Sequence, residues 1–182
     1  MKPTKISFAT TSLACLAILL FCVPAWASEA DTTATVSGGR GRSGSAAATT
    51  HYEGDAGFAR TDTRTGRVNL ARGVAVGVDE DGISLSFSLA IAPLNGPAFA
   101  TNFNLSFERD GDVATSFGNV LASGGTSRTV SVGGGSSTTP YGANATSMAS
   151  GKTTHGGIVR ATTHSNDYKP REVRPRRIVV LR

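Results

Sequence analysis

Cysteine is almost absent from this sequence. Its only two cysteines, Cys15 and Cys22, lie near the N-terminus, and the chain after Cys22 contains no thiol. Disulfides, thiolate metal ligands and cysteine nucleophiles all require cysteine, so they are excluded from the rest of the chain. The fold must therefore be held together by its core, by bound ions or by assembly with other chains.

Motifs of the common enzyme classes are also missing. The sequence contains neither HExxH nor GxSxG, the motifs of zinc proteases and α/β-hydrolases. Histidine is restricted to His51, His155 and His164, and their spacing is not that of metal ligands. We therefore expect a protein that is not an enzyme and that has no resident cofactor.

Only one long apolar run occurs, at residues 13–23. Lys2 and Lys5 precede it, and the small-x-small sequence of residues 25–27 follows it. This order of parts is typical of a secretory signal peptide, and the apolar run is shorter than the roughly 20 residues that a membrane-spanning helix requires. We expect a signal peptide over residues 1–27, no transmembrane segment after its removal, and a secreted or periplasmic cell-envelope protein, of a bacterial kind because disulfides are missing.

Composition divides the remaining chain into four zones. Residues 28–50 are small and polar, which predicts a flexible low-complexity arm. Residues 51–132 hold every phenylalanine that follows the signal region and predict a β-rich core domain. Residues 133–167 form a segment rich in glycine, serine and threonine, and residues 168–182 form a basic tail. We expect these low-complexity flanks to be disordered.

Large apolar and small residues alternate in the first part of the core. The even positions from Val68 to Val78 and the odd positions from Ile83 to Ile91 are mostly large and apolar, with glycine, alanine and serine between them. This period of two predicts two strands. A four-residue loop at residues 79–82 places all the large apolar residues on one face, which we expect to be the buried face.

A second hairpin follows from the same alternation. A three-residue loop at residues 109–111 pairs Phe107 with Val113, and we expect the last glycine of each loop, Gly82 and Gly111, to adopt a left-handed conformation. We expect one or two further strands, at residues 126–132 and 178–181. The predicted fold is all-β: a small antiparallel meander or sandwich with hairpins at about residues 67–91 and 98–117.

A meander brings its alternate loops to one edge of the sheet, and here both of those loops are acidic. Carboxylates on adjacent flexible loops suit Ca²⁺, which prefers several oxygen ligands. The alternative is that acidic residues and glycine occur there only because they favour turns. The candidate calcium ligands are Asp79, Asp81, Glu108, Asp110 and Asp112.

Positive charge is concentrated in the basic tail. Such a cluster can bind an anionic polymer by neutralising its charge, and the alternative is an edge strand flanked by solvated arginines. The export signal makes nucleic acid an improbable partner. The candidate polyanion-binding residues are Lys169, Arg171, Arg174, Arg176 and Arg177.

The sequence favours an exported, non-enzymatic structural or interaction protein of the cell envelope or extracellular space. Its partner would be an envelope or extracellular polymer or protein, with self-association through unpaired sheet edges. The alternative is a polyanion- or carbohydrate-binding module that uses the basic tail or the serine- and asparagine-rich face of the sheet.

Overall fold

A computed structural model describes residues 28–40 and 44–170, which form two antiparallel sheets. The four-stranded sheet has the order β2-β1-β8-β9, and the six-stranded sheet has the order β10-β7-β6-β5-β4-β3. The all-β prediction is therefore confirmed. The strands are β1 (Glu29–Gly39), β2 (Ala46–Glu53), β3 (Ala56–Arg64), β4 (Val68–Val78), β5 (Gly82–Pro93), β6 (Ala98–Glu108), β7 (Val113–Ser123), β8 (Ser127–Thr139), β9 (Gly142–Thr154) and β10 (Ile158–Tyr168).

The registers of both predicted hairpins are confirmed. Val78 lies opposite Ile83 in the first hairpin, and Phe107 lies opposite Val113 in the second. Gly111 has a φ of 98° and occupies the left-handed position of its turn. Gly82 has a φ of 157°, which also lies in the positive range that favours glycine. A Cβ at Gly82 would overlap the carbonyl oxygen of Phe107, so close packing against β6 explains this glycine.

The prediction of the buried face is wrong. The large apolar side chains of β4 to β7 do share one face, but that face points away from the second sheet. The small residues between them face inward and are buried. The four-stranded sheet approaches this small-residue face so closely that a Cβ at Gly77 would lie 2.6 Å from the carbonyl oxygen of Glu29. Larger residues would hold the two backbones apart.

The space between the sheets is divided into an apolar part and a polar part. The apolar part contains alanine and valine, with Val36, Val120, Val130 and Val132 as its largest members. The polar part contains serine, threonine and asparagine, joined across the sheets by hydrogen bonds such as that between the hydroxyls of Thr32 and Ser86, at 2.9 Å. Because buried polar groups are costly unless they are paired, these bonds are a condition of the fold.

The flanks that were predicted to be disordered contribute strands where they are described. The predicted flexible arm of residues 28–50 forms β1 and most of β2, and residues 133–167 form parts of β8 and β10 and the whole of β9. Their small side chains allow close packing of the two sheets. The predicted signal peptide and residues 171–182, including the predicted strand at 178–181, lie outside the described residues. No helix in the described part of the chain is long and apolar enough to cross a membrane.

Candidate functional site

The outward surface of β4 to β7 is the most unusual feature of the molecule, and we call it the apolar face. Phe103 is 41 % exposed, Phe107 is 47 % exposed and Phe117 is 42 % exposed, although all three lie within strands. Exposed apolar residues are ordinary when they are scattered, whereas a contiguous group marks an interaction surface. The large residues of the apolar face are Val68, Leu70, Val74, Val76, Val78, Ile83, Leu85, Phe87, Leu89, Ile91, Phe99, Phe103, Leu105, Phe107, Val113, Phe117 and Leu121.

Strand register aligns the aromatic residues of this face into a row. Phe87 of β5 lies opposite Phe103 of β6, which lies opposite Phe117 of β7. His164 of β10 continues the row, with its ring centroid 5.3 Å from that of Phe117. Cross-strand neighbours of this kind lie side by side on one face, so the row runs across β5, β6, β7 and β10.

Polar residues border the apolar face and also occur within it. At the β3 edge, Arg72 contacts Asp62 at 3.2 Å, and Arg160 is on β10 at the other edge. Thr101 and Asn119 lie opposite each other in the same cross-strand row as Arg72, with Leu89 between Arg72 and Thr101. An apolar centre with a polar border is the usual composition of a protein interface.

The size of the apolar face matches one side of a stable interface. Strands β4, β6 and β7 have 11 residues each and β5 has 12. At about 3.3 Å per residue and about 4.8 Å per strand, these four strands cover roughly 700 Å². A standard interface buries about 800 Å² on each partner. The apolar face is therefore large enough to support specific association.

The two acidic loops lie together, as predicted from the meander. The backbone N–H of Arg109 donates a hydrogen bond of 2.8 Å to the carbonyl oxygen of Asp81, joining the loop after β4 to the loop after β6. Oδ1 of Asp79 accepts hydrogen bonds of 2.9 Å from the backbone N–H groups of Asp81 and Gly82. These bonds close the turn. They agree with the alternative explanation that acidic residues occur in this loop because they favour turns.

Burial and repulsion act on the carboxyl groups of this edge. Glu108 is the last inward-facing residue of β6 and is only 6 % exposed. Burial raises its pKa, the charges of Asp112, Asp110 and Asp81 raise it further, and Lys169 opposes the rise. Burial also raises the pKa of Asp79, and the charges of Asp81 and Asp55 add to the rise, while its two backbone hydrogen bonds oppose it.

The predicted calcium ligands do not form a metal-binding arrangement. Among residues 28–40 and 44–170, no group of three or more histidine, cysteine, aspartate or glutamate side chains is placed to hold a metal ion. Asp79 and Asp81 lie at the loop after β4, whereas Glu108, Asp110 and Asp112 lie around the loop after β6. The calcium site stays a prediction, and the geometry of Asp79 favours the turn explanation.

The predicted polyanion site falls largely on residues that are not described. Lys169 lies 3.8 Å from Asp112, so its charge is directed toward the acidic loops. Arg171, Arg174, Arg176 and Arg177 lie outside the described residues. The serine- and asparagine-rich face, the other surface proposed for that function, is buried between the sheets, with Asn104 and Ser106 both 0 % exposed. It is not accessible to a carbohydrate.

The carboxyl pair of Glu29 and Asp31, at the start of β1, was not predicted from the sequence. Burial raises the pKa of Glu29 to about 7, helped by its hydrogen bond to Asp31 and by the charges of Asp31 and Glu53. Burial also raises the pKa of Asp31. The alternation of acidic residues within Glu29–Gly39 was a signal of this pair, but it lay in a segment that was predicted to be flexible.

Comparison with known proteins gives no relative for this chain. No family model, no curated protein and no solved structure matches it. Its function must therefore be argued from its own surfaces.

Proposed function

We propose that this chain is an exported, non-enzymatic structural protein of the cell envelope or extracellular space, and that it assembles by packing its apolar face against that of a second copy. The observation that carries this proposal is the outward orientation of the large apolar residues of β4 to β7. Its export is supported only by the N-terminal sequence.

A second copy is the occupant that the surface favours. The apolar face is one continuous side of a sheet, and its roughly 700 Å² is close to what each partner contributes to a standard interface. Two identical sheets can pack face to face about a two-fold axis, so one surface serves both partners. The polar residues Arg72, Thr101 and Asn119 within the apolar face restrict the registers in which the faces of two copies can pack.

The alternative function is polyanion binding through the basic tail. It is favoured only by the positive charge of that tail, since the serine- and asparagine-rich face is buried. The two functions respond differently to salt: apolar packing persists at high ionic strength, whereas charge neutralisation weakens.

The test is the oligomeric state of the protein recovered after export, measured by sedimentation velocity at low and high salt. We expect a dimer at both salt concentrations. Replacing the central aromatic pair in the double variant Phe103→Thr/Phe117→Thr should give a monomer, because threonine retains strand propensity but removes the apolar contacts. Met148→Thr is the matched control, since Met148 is 59 % exposed on the outer side of the other sheet.

Two results would overturn assembly through the apolar face. One is a wild-type protein that stays monomeric at high concentration, and the other is a dimer that the Phe103→Thr/Phe117→Thr variant retains. If detergent micelles or lipid vesicles bind the monomer in place of a second copy, the occupant is a lipid surface and the proposal also fails. Recovery of the uncleaved chain from the cytoplasm would contradict export.

A further inference from the structure

The two ends of the sandwich carry opposite charge. The loops after β1, β3, β5, β7 and β9 meet at one end, which we call the basic end, and their sequences contain arginine and histidine but no aspartate or glutamate. The loops after β2, β4, β6 and β8 meet at the other end, which we call the acidic end. The acidic residues of these loops are Asp55, Asp79, Glu80, Asp81, Asp110 and Asp112.

A cavity of about 700 Å³ opens at the basic end. It is lined by residues of four loops or strand ends, among them Arg40, Asn95, Arg128 and His155. The hydroxyl of Thr126 is hydrogen-bonded to Nδ1 of His155 at 3.0 Å, and the backbone N–H of Arg40 donates to the carbonyl oxygen of Thr126 at 3.2 Å. These contacts hold the positively charged and polar groups at the wall of one cavity.

Arg128 lines this cavity, and its Nε has no hydrogen-bond partner among the described residues. Its side chain is 4 % exposed and donates hydrogen bonds to the carbonyl oxygens of Leu94, at 3.0 Å, and Gly124, at 3.4 Å. Its Nε is buried and has no partner among the described residues, and Arg128 forms no ion pair with them. A buried guanidinium without a counter-charge is costly, so a carboxylate in the cavity would stabilise it.

The acidic end contains carboxylate oxygens that have no hydrogen-bond donor within the described part of the chain. Oδ2 of Asp79 and Oδ2 of Asp81 are buried, and neither has a hydrogen-bond donor among the described residues. Beside them, Glu80 and Asp110 are exposed at the tips of their loops. This end therefore presents the exposed carboxylates of Glu80 and Asp110, and the basic end holds a buried guanidinium that lacks a carboxylate.

We infer that the cavity at the basic end is a carboxylate-binding site, and that its ligand is the acidic end of a second copy of this chain. Contact between unlike ends is heterologous, so each copy keeps one free end and the contact can repeat into a linear array. The end surface is small compared with the apolar face, so the contact is weak and its strength falls as salt rises. It uses different residues from the apolar face and does not depend on it.

The test separates this contact from packing of the apolar face by using the Phe103→Thr/Phe117→Thr background. Sedimentation equilibrium at low salt should show concentration-dependent association that disappears at high salt. Adding Arg40→Gln should raise the dissociation constant about tenfold, because Arg40 is an exposed cation at the cavity wall. Arg109→Gln is the matched control: it removes the same charge from the acidic end and should leave association equal or stronger.

Mixing two variants tests the head-to-tail geometry. Arg40→Gln retains an intact acidic end, and Glu80→Gln/Asp110→Asn retains an intact basic end. Each variant alone should associate weakly. An equal mixture should form one-to-one pairs, and assemblies larger than a pair should not form. Absence of association in the background protein would overturn the inference, and so would equal association of all variants. Binding of inorganic phosphate to Arg40 and Arg128 without self-association would assign the cavity to a free anion and also overturn it.

Discussion

The two faces of the six-stranded sheet differ in a way that reverses the usual arrangement of a sandwich. The inner face is made of small and polar residues that fit closely against a second sheet and are joined to it by hydrogen bonds. The outer face is made of phenylalanine, leucine, isoleucine and valine, many of them partly exposed. The difference teaches that close fit and polar pairing hold the two sheets together, while the large apolar residues of β4 to β7 lie outside the space between the sheets.

The sharpest way to break this comparison is to enlarge a residue on the inner side. A side chain at Gly134 would overlap the carbonyl oxygen of Thr146 and approach Nδ2 of Asn104. We expect Gly134→Val to reduce the free energy of unfolding by about 3 kcal/mol or more, because overpacking forces the backbone to shift. Urea unfolding measures this value. The matched change on the outer face, Phe103→Val in the Phe117→Thr background, should alter it by less than about 1 kcal/mol. Equal effects would refute the proposed difference between the faces.

A smaller effect is expected from removing one polar partner. Oδ1 of Asn104 accepts a hydrogen bond of 2.5 Å from Ser86, and its Nδ2 donates to Ser116 at 3.0 Å and to the carbonyl oxygen of Thr146 at 2.7 Å. Asn104→Ala removes the partner of the buried Ser116 hydroxyl and one partner each of Ser86 and Thr146, and should cost about 2 kcal/mol. Asn119→Ala is the control on the outer face and should stay within about 0.5 kcal/mol of wild type in the same urea measurement.

The smallest effect concerns pH. The pKa of Glu29 is about 7 in the folded chain against 4.5 ordinarily, and the pKa of Glu108 is also raised. The folded state therefore binds more protons than the unfolded state in this range, so stability should fall as pH rises from about 4.5 to about 7. The melting temperature should be higher near pH 5 than near pH 8, and Glu108→Gln should reduce that difference. Glu80→Gln, at an exposed loop tip, is the control. A melting temperature that rises with pH would contradict this prediction.

The sequence predicted local features of the fold and misjudged non-local ones. The pairs Val78 with Ile83 and Phe107 with Val113 follow from alternation and loop length, which are properties of neighbouring residues. Alternation cannot say which face is buried, because that depends on a second sheet whose strands come from both ends of the described chain. Ser86, for example, contacts Thr32 of β1 and the carbonyl oxygen of Gly134 of β8.

The candidate sites also differ in whether local sequence could predict them. That the two acidic loops lie at one edge was predictable, since a meander fixes which loops are adjacent. The cavity at the basic end was not predictable, because Arg40, Asn95 and His155 belong to separate loops and no local motif connects them. The segments that form β1, β2 and β9 lack a pattern of large apolar residues, and the sequence therefore predicts disorder there. Small residues suit both flexible chains and closely packed sheets.

The pairing of β1 with β8 has a consequence for the order of folding. Strands β3 to β7 are consecutive and can pair as soon as each is available, whereas β1 must wait for β8, since Gly39 pairs with Ser127 and Glu29 pairs with Ser137. Contacts between such distant residues slow folding and leave intermediates exposed. A chain that emerges from its N-terminus would form this meander before β8 is available to complete the second sheet. The serine and asparagine side chains of its inner face would then stay in contact with water until β8 arrives.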